Sequence, residues 1–328
     1  MIPIHNEEEN LPELYQRLRK ECNALGDVSW QVIYVNDGSH DQSMSIMLEQ
    51  CRGDSRFSVV DLSRNFGHQA AISAGLAHAY GDAVILMDGD LQDPPEVIPE
   101  LVARWREGAQ IVRAERRSRK ERGIRRIGFE VFHRAFNWVS DFPIPSQTGI
   151  FGLIDRQAVK ELNQLQEKNR FLPGLRSWVG FRQAVVTYDR QDRAAGQPTQ
   201  TLRRLIRYGL DAVFSFSYKP LRLMTGIGLC ISVGGFVLAC IFVIKRLLGI
   251  EVAQTGFTSL ITVVLFLGGV QLVAVGVLGE YTARIYDEVK RRPLYIVSDR
   301  YGIDAPYQGD GRKPEDSEPQ STFSEPSG

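Results

Sequence analysis

Three oxygen-bearing side chains, Asp88, Asp90 and Gln92, lie close together in the segment Asp88-Gly-Asp-Leu-Gln-Asp-Pro-Pro95. The segment follows a short apolar run, which predicts that these side chains stand at the end of a β-strand. Carboxylate and amide oxygens suit Mg²⁺ and Mn²⁺, and such a cation can neutralise a diphosphate as it leaves. The spacing therefore predicts a divalent metal site with Asp88, Asp90 and Gln92 as ligands.

An Asp-x-Asp pair alone is a weak indication, because most such pairs lie in surface turns. Two other polar segments strengthen it in this chain. Asn36-Asp-Gly-Ser39 follows a second apolar run, and Pro3-Ile-His-Asn-Glu-Glu8 precedes both. The combination favours one shared site over three unrelated turns.

The elements that must position these segments alternate between strands and helices. Periodicity predicts strands over 31–35, 57–62 and 83–87, and helices over 9–24, 42–51 and 69–79. The alternation predicts an α/β fold with a mostly parallel sheet, in which ligands bind at the carboxyl ends of the strands. Ile2-Pro-Ile4 looks like the end of a strand, so either the first strand is unusually short or the chain is cut at its N-terminus.

Two stretches without charged side chains predict a membrane hairpin. They cover residues 223–244 and 255–279, and each exceeds the ~18 apolar residues that indicate a spanning helix. Lys219, Arg222 and Arg284 flank the pair, so the positive-inside rule puts both flanks in the cytoplasm, at the inner membrane. Buried core helices are the alternative. Glycines in both stretches would permit close helix packing and self-association.

The remaining segments surround this hairpin. Residues 1–200 form the predicted cytoplasmic catalytic domain. Residues 201–222 place arginines between apolar residues at helical spacing, which predicts an amphipathic helix on the inner leaflet or a helix packed on the domain. Residues 280–306 form a cytoplasmic C-terminal segment, and the polar tail 307–328 is predicted to be disordered.

Charge and cysteine content exclude two classes of protein. The chain has 39 basic and 39 acidic residues, so its composition argues against a nucleic-acid partner. None of the four cysteines forms a Cys-x-x-Cys pair, which argues against a zinc site or a disulfide framework. The basic run 113–126 is either a solvated face or a site for phosphate or lipid headgroups.

Several motifs together resemble the inverting glycosyltransferases of family 2. The matching segments are Ile2-Pro-Ile-His-Asn-Glu-Glu-Glu-Asn10, Val35-Asn-Asp-Gly-Ser39, Leu62-Ser-Arg-Asn-Phe-Gly-His68, Asp88-Gly-Asp-Leu-Gln-Asp-Pro-Pro95, Phe171-Leu-Pro-Gly-Leu-Arg-Ser-Trp-Val-Gly180, Arg190-x-x-Arg193-x-x-Gly196 and Glu288-Val-Lys-Arg-Arg-Pro-Leu-Tyr295. Within that family the chain is similar to the dolichyl-phosphate mannose synthase and polyprenyl-phosphate glucosyltransferase group, in its bacterial form with two membrane helices. The resemblance extends from residue 1 to about residue 300 and implies a GT-A fold, a Rossmann-like α/β architecture.

The resemblance also implies roles for the matching residues. Those implied to bind the nucleotide are Pro3, Glu7, Asp37 and Asp88. Those implied to hold Mg²⁺ or Mn²⁺ and the diphosphate are Asp88, Asp90 and Gln92. Those implied to be catalytic, with the arginines meeting donor or acceptor phosphates, are Asp90, Arg190 and Arg193. Those implied to meet the acceptor phosphate, with Arg116 or Arg117 on a mobile loop, are Arg116, Arg117 and Arg126.

The activity implied by the resemblance is inverting transfer of a hexose to a polyprenyl phosphate at the inner face of the membrane. Members with two membrane helices use undecaprenyl phosphate, and we expect UDP-glucose as the nucleotide-sugar donor. The resemblance further implies a homo-oligomer, of which a tetramer is one form. A GDP-mannose-using mannosyltransferase and a catalytically impaired scaffold of the same fold are the alternatives. A processive polysaccharide synthase fits less well, because the Gln-x-x-Arg-Trp motif is absent.

The chain departs from the family pattern at two places. Gln147 and Gly152 stand where the family often has aspartate and arginine, and Pro198-Thr-Gln200 replaces Ser-Lys-Tyr. Losing the carboxylate at position 147 need not remove a required base. A phosphate monoester has a second pKa of about 6, so it is mostly dianionic at neutral pH and can attack without first losing a proton. We therefore predict a displacement that uses no general base.

Overall fold

The computed structural model describes residues 1–116, 148–165, 167–168, 170–189, 219–248 and 256–303. The first half of the catalytic part alternates between strands and helices as predicted. Its elements are β1 (Ile2–Ile4), α1 (Leu11–Ala24), β2 (Val32–Asn36), α2 (Ser43–Gly53), β3 (Phe57–Leu62) and α3 (His68–His78). The pairs β1–β2 and β2–β3 are both parallel, which puts the three carboxyl ends on one edge.

The second half builds a different sheet. Its elements are β4 (Ala83–Leu86), a short 3₁₀ turn (Pro95–Val97), α4 (Ile98–Arg106), β5 (Ile111–Arg116), β6 (Thr148–Asp155), α5 (Arg156–Gln164), α6 (Leu172–Trp178) and β7 (Gln183–Tyr188). The strand order is β4-β6-β5-β7. Strand β6 runs antiparallel to β4 and to β5, whereas β5 and β7 are parallel.

The prediction of a mostly parallel sheet is therefore wrong for this half, and the architecture is a mixed α/β one. Parallel pairing follows where one helix carries the chain from a strand to its neighbour. Strand β6 instead lies between β4 and β5, and its direction is set by pairing with strands distant in the sequence.

Backbone hydrogen bonds join the two sheets through β1. Met87 N donates to Met1 O at 3.3 Å, and Met1 N donates to Ile85 O at 2.7 Å. This is the pattern of a parallel bridge, so the end of β4 lies beside β1. The turn after β4 therefore emerges next to the turns after β1 and β2.

Apolar side chains alternate between the two faces of the sheet. In β2, Val32 and Tyr34 join a core with α1, α2 and α4, whereas Ile33 and Val35 join a second core with α3, α5 and α6. Successive strand residues point to opposite faces, so a strand buried on both sides reads as a continuous apolar run. Trp178, at the end of α6, lies outside these two cores and is 52% exposed.

Two long apolar helices follow the catalytic part. They are α7 (Lys219–Leu247) and α8 (Gly256–Val289), with 29 and 34 residues, and both are long and apolar enough to cross a membrane. At 1.5 Å per residue they measure about 44 and 51 Å, more than the ~30 Å hydrocarbon core of a bilayer. The candidate span within each helix has none of its residues buried in the protein, which argues against buried core helices.

Helix α8 continues beyond the predicted span, and its end contacts the catalytic part. Lys168 N donates to Glu288 Oε1 at 2.7 Å. The chain then forms β8 (Val297–Tyr301), which pairs antiparallel with β3 and completes the order β1-β2-β3-β8. Most of the predicted amphipathic segment, 201–218, and the predicted tail, 307–328, lie outside the described residues.

The helix glycines do not mediate packing between α7 and α8 within one chain. A Cβ built at any of them would meet no atom of the described residues within 4 Å outside its own helix backbone; they are Gly226, Gly228, Gly234, Gly235, Gly256, Gly268, Gly269, Gly276 and Gly279. Self-association through these glycines stays a prediction.

Candidate active site

Four chain segments meet at the carboxyl ends of β1, β2 and β4 and line a cavity of about 320 Å³. They are the turns after these three strands and the start of α3. Five residues predicted to bind nucleotide or metal line this cavity, namely Pro3, Glu7, Asp37, Asp88 and Asp90. Parallel strands explain the convergence, because their carboxyl ends share one edge of the sheet.

Side-chain to backbone hydrogen bonds fasten the turn after β1 to the turn after β2. Asn6 adopts a left-handed conformation with φ of 56°. Its backbone N donates to Ser39 Oγ at 3.1 Å, and its side-chain Oδ1 accepts from His40 N at 2.8 Å. Glu7 N donates to Ser43 Oγ at 2.9 Å, and Glu7 Oε2 accepts from Asn10 Nδ2 at 2.6 Å. Glu7 is therefore held at the cavity from both ends.

Asp37 is only 3% exposed and organises the loop after β3. Its Oδ1 accepts from Phe66 N at 2.7 Å, and its Oδ2 accepts from Gly67 N at 3.0 Å. Gly38 permits this close approach: its φ is +64°, and a Cβ there would stand 2.5 Å from Asn65 N. Each oxygen of the Asp37 carboxylate is thus engaged by one backbone N–H.

His5 joins the same loop to the end of β2. Its Nδ1 lies 2.9 Å from Asp37 O, and its Nε2 lies 3.1 Å from Asn65 Nδ2. A carbonyl oxygen can only accept, so Nδ1 carries the proton and Nε2 accepts from the Asn65 amide. Asn65 is itself one of the residues that line the cavity.

Asp88 is hydrogen-bonded to His68, the first residue of α3. His68 Nε2 lies 2.8 Å from Asp88 Oδ1, and both side chains are partly exposed to the cavity. Burial alone would lower the pKa of His68, but the hydrogen bond to Asp88 and the charges of nearby carboxylates raise it. Carboxylates that bind metals are commonly oriented by such a partner.

The turn after Asp88 has a constrained backbone. A Cβ at Gly89 would lie 2.5 Å from Ile4 Cδ1, so the turn packs directly on the end of β1. Leu91 has a φ of 58°, a conformation that L-residues with large side chains rarely adopt. Gln92 N donates to Asp90 Oδ1 at 3.1 Å and closes the turn. Such strain persists when surrounding contacts enforce it, and it is common at functional sites.

The oxygen donors of this turn suit a hard divalent cation. Asp88 and Asp90 line the cavity, and Gln92 has a buried Oε1 with no hydrogen-bond partner in the described part of the chain. No group of three or more His, Cys, Asp and Glu side chains forms a metal site among the described residues. Mg²⁺ is often bound by one or two carboxylates together with substrate phosphates and water, so two carboxylates suffice.

A buried network lies beside the turn. Asp93 is 1% exposed, and its Oδ1 accepts from the Tyr188 hydroxyl at 2.5 Å. Arg116 Nε donates to the same hydroxyl oxygen at 3.2 Å, and Arg116 Nη2 lies 3.7 Å from Asp93 Oδ1. Burial raises the pKa of Asp93, the Tyr188 hydrogen bond opposes that rise, and the Asp88 charge adds to it.

The predicted arginines are placed only in part. Arg116 ends β5 and bonds to Tyr188, so it belongs to a strand and not to a mobile loop. The other predicted arginines and most positions that depart from the family pattern lie outside the described residues; they are Arg117, Arg126, Arg190, Arg193, Gln147 and residues 198–200.

The departure from the family pattern at Gly152 is built into the backbone of β6. Its φ is +152°, and a Cβ there would collide with the carbonyl oxygen of Val112 on β5. The register between β5 and β6 shifts nearby, between Arg113 and Glu115. An arginine at position 152 therefore does not fit this backbone conformation.

Sequence reasoning overlooked Tyr188 and assigned no role to Asn65. Both contact residues far away in the sequence, which periodicity does not reveal. The signal for Tyr188 was its position at the end of an apolar strand, just before the Arg190 motif. The signal for Asn65 was its position in a loop that follows a strand of the same sheet.

Comparison with known proteins shows the family to which this chain belongs. The model of "Glycosyl transferase family 2" matches residues 1–162. An uncharacterized glycosyltransferase of Synechocystis sp. is 44% identical over 93% of this chain and 95% of its own. The bactoprenol glucosyl transferase of Shigella phage SfII is 41% identical over 90% of this chain and 96% of its own. A solved structure, glucosyl-3-phosphoglycerate synthase from Mycobacterium tuberculosis, has 18% identity and a TM-score of 0.42 over 65% of this chain and 77% of its own. The full-length matches leave one assignment: this chain is a glycosyltransferase and belongs to family 2.

Proposed function

We propose that this hexosyltransferase transfers glucose from UDP-glucose to a polyprenyl phosphate, undecaprenyl phosphate, with inversion at the sugar. The observation that carries the proposal is the 41% identity, over 90% of this chain, to the bactoprenol glucosyl transferase of Shigella phage SfII. The acid-lined cavity supports it, because its carboxylates can hold a divalent cation close to the leaving oxygen of a nucleotide diphosphate.

The described residues have distinct tasks in this proposal. Asp37 fixes residues 65–67 along the cavity through two backbone N–H groups. Pro3 and Glu7 complete the nucleotide side of the cavity. Asp88 and Asp90 hold Mg²⁺ or Mn²⁺, with Gln92 as a further oxygen ligand. When bound, the cation offsets the charge that develops on the departing diphosphate.

The displacement needs no proton transfer at the acceptor. The bond between the anomeric carbon and the UDP oxygen breaks as a bond to an acceptor phosphate oxygen forms, and UDP departs with the electron pair. The dianionic acceptor starts without a proton on the attacking oxygen. Two anionic reactants repel each other, so arginines are needed to bring them together, and we assign this task to Arg116, Arg117, Arg126, Arg190 and Arg193.

The membrane helices bring the lipid acceptor to the site. In our proposal the chain adopts a GT-A fold, α7 and α8 form a transmembrane hairpin, and the catalytic part and both flanks face the cytoplasm. Lys219, Arg222 and Arg284 carry the positive charge that favours this orientation. A Cβ at Gly226 or Gly268 would meet no atom of the described residues within 4 Å outside its own helix backbone, so both glycines are available to contact another copy in a homo-oligomer.

The test is a panel of labelled nucleotide-sugars incubated with undecaprenyl phosphate and the full chain, with and without Mg²⁺ or Mn²⁺. We expect labelled glucosyl lipid from UDP-glucose only when a divalent metal is present. Asp90→Asn serves as the inactive variant, and Asp299→Asn, an exposed aspartate on β8, serves as its matched control. Equal or better transfer from GDP-mannose would overturn the donor assignment, and metal-independent transfer would overturn the metal site.

A further inference from the structure

Three chain segments end at one buried carboxylate. Asp93 lies in the turn after β4, Arg116 ends β5, and Tyr188 ends β7. Arg116 and Tyr188 are direct register partners in the parallel pair β5–β7. Both segments that leave these strands, toward Arg117 and toward Arg190, carry arginines assigned above to the anionic reactants. The Asp93 carboxylate therefore lies where the turn after β4 meets the ends of β5 and β7, from which the chain continues to Arg117 and Arg190.

The Tyr188 hydroxyl separates the charged members of this network. Its single proton is donated to Asp93 Oδ1, and its oxygen accepts from Arg116 Nε. The 3.7 Å between Arg116 Nη2 and Asp93 Oδ1 exceeds the 2.7–3.2 Å range of a hydrogen bond. Arg116 thus stays near Asp93 without forming the bidentate pair that arginine and carboxylate prefer.

One oxygen of the Asp93 carboxylate lacks a hydrogen-bond donor among the described residues. Its Oδ2 is buried and has no hydrogen-bond partner within the described residues. A buried carboxylate oxygen without a donor is unfavourable, so a nearby guanidinium is drawn toward it. The Arg116 side chain is still 32% exposed, and its Nη2 would lie 3.6 Å from a Cβ at Gly149, at the start of β6.

We propose that Tyr188 is a positioning residue that keeps Arg116 from closing onto Asp93, so that the guanidinium remains available to the acceptor phosphate. The inference rests on the proposed function, because it takes a lipid phosphate as the anion that Arg116 meets. Removing the hydroxyl frees Asp93 Oδ1 and lets Arg116 form the bidentate pair. The acceptor then loses one cationic partner, whereas the donor side of the cavity keeps its contacts.

The experiment compares Tyr188→Phe with the wild-type chain in the glucosyl transfer assay. The variant keeps the ring, which packs edge-to-face on Phe151 at 5.4 Å between centroids. We expect the KM for undecaprenyl phosphate to rise about 10-fold, the effect of losing one hydrogen bond to a charged group, with the donor KM within about 2-fold. Tyr34→Phe is the control. It also removes one buried tyrosine hydroxyl, but that hydroxyl has no hydrogen-bond partner in the described chain.

A double-mutant cycle separates positioning from general stability. In Asp93→Asn the charge that attracts Arg116 is gone, so adding Tyr188→Phe should raise the acceptor KM by less than about 2-fold. A purely structural role predicts the same rise in both backgrounds, together with an equal rise in the donor KM. Arg116→Ala should reproduce the increase in acceptor KM without any change at Tyr188.

The outcomes distinguish this inference from the function on which it rests. If the wild-type chain transfers no sugar to undecaprenyl phosphate, the proposed function fails and this inference fails with it. If the wild type transfers and Tyr188→Phe keeps the wild-type acceptor KM, only the positioning role is overturned. An equal rise in donor and acceptor KM would overturn it as well.

Discussion

The turns after β2 and β4 both place aspartates at the same edge of the sheet, yet they use them differently. In the turn after β2, Asp37 is buried and both of its oxygens accept backbone N–H groups. In the turn after β4, Asp88 and Asp90 face the cavity, and Gln92 and Asp93 each keep a buried oxygen without a hydrogen-bond partner in the described chain. The first turn uses its carboxylate to hold a loop, whereas Asp88, Asp90 and Gln92 of the second supply the oxygens that we propose bind the metal.

The largest effect should come from the turn after β4. Asp90→Asn removes a proposed metal ligand and should reduce glucosyl transfer at least about 100-fold, because charge on the leaving diphosphate is no longer offset. The free energy of unfolding should change by no more than about 0.5 kcal/mol. Transfer rates and thermal unfolding of the same preparation measure both quantities. A stability loss large enough to explain the inactivity would break the contrast.

Asp37→Asn should show the opposite profile. The amide keeps one acceptor and places its own NH₂ group against a backbone N–H of the 66–67 loop. The unfolding free energy should fall by about 1–3 kcal/mol, the cost of leaving a buried donor without its partner. Thermal unfolding in detergent measures the change. A variant that keeps its stability but has a much higher donor KM would show that Asp37 acts mainly as a nucleotide ligand.

A third carboxylate, Asp54, tests whether full hydrogen bonding by itself marks a structural aspartate. Hydrogen bonds from Arg56 lower the pKa of Asp54 to about 2, against partial burial, which raises it. Because the folded-state pKa is lowered, this stabilisation is complete above the unfolded value near 3.8 and is lost as pH falls toward 2. Asp54→Asn should lose about 1 kcal/mol at pH 7, since Arg56 is partly exposed to solvent. The difference from wild type should shrink as pH falls through 2 and vanish only below it, and a constant difference would contradict this assignment.

The smallest effect should come from restoring the family carboxylate. Gln147→Asp should leave turnover within about 3-fold of the wild type, because a dianionic phosphate acceptor needs no general base. Turnover measured against pH tests this expectation. A large gain with a new acidic limb in the profile would show that the site does use a base.

The sequence predicted the elements that are specified locally. The strand over 57–62 is found at Phe57–Leu62, and the helix over 69–79 is found at His68–His78, one residue earlier at each end. The rule that ligands bind at the carboxyl ends of parallel strands predicted that Asp37 and Asp88 lie at one site, and both line the same cavity. These features follow from periodicity and from the parallel pairing of β1–β3.

Features that depend on distant partners were not predictable in the same way. The antiparallel direction of β6 depends on its insertion between β4 and β5. The role of Asp37 depends on a loop about 30 residues further along the chain, and the Tyr188 contact joins residues 95 positions apart. The sequence indicated only that Gly152 stands where the family often has an arginine, whereas the backbone conformation at that position excludes any side chain.

Strand β8 has a consequence for the order in which this protein can be assembled. It pairs Val59 in β3 with Tyr301, which is made only after both apolar helices. During synthesis at about 5–20 residues per second, the outer edge of β3 therefore has no β8 partner until both apolar helices have been made. Completion of the sheet that contains β3 is thus tied to synthesis of both apolar helices, and a chain that stalls before β8 exposes a strand edge prone to aggregation.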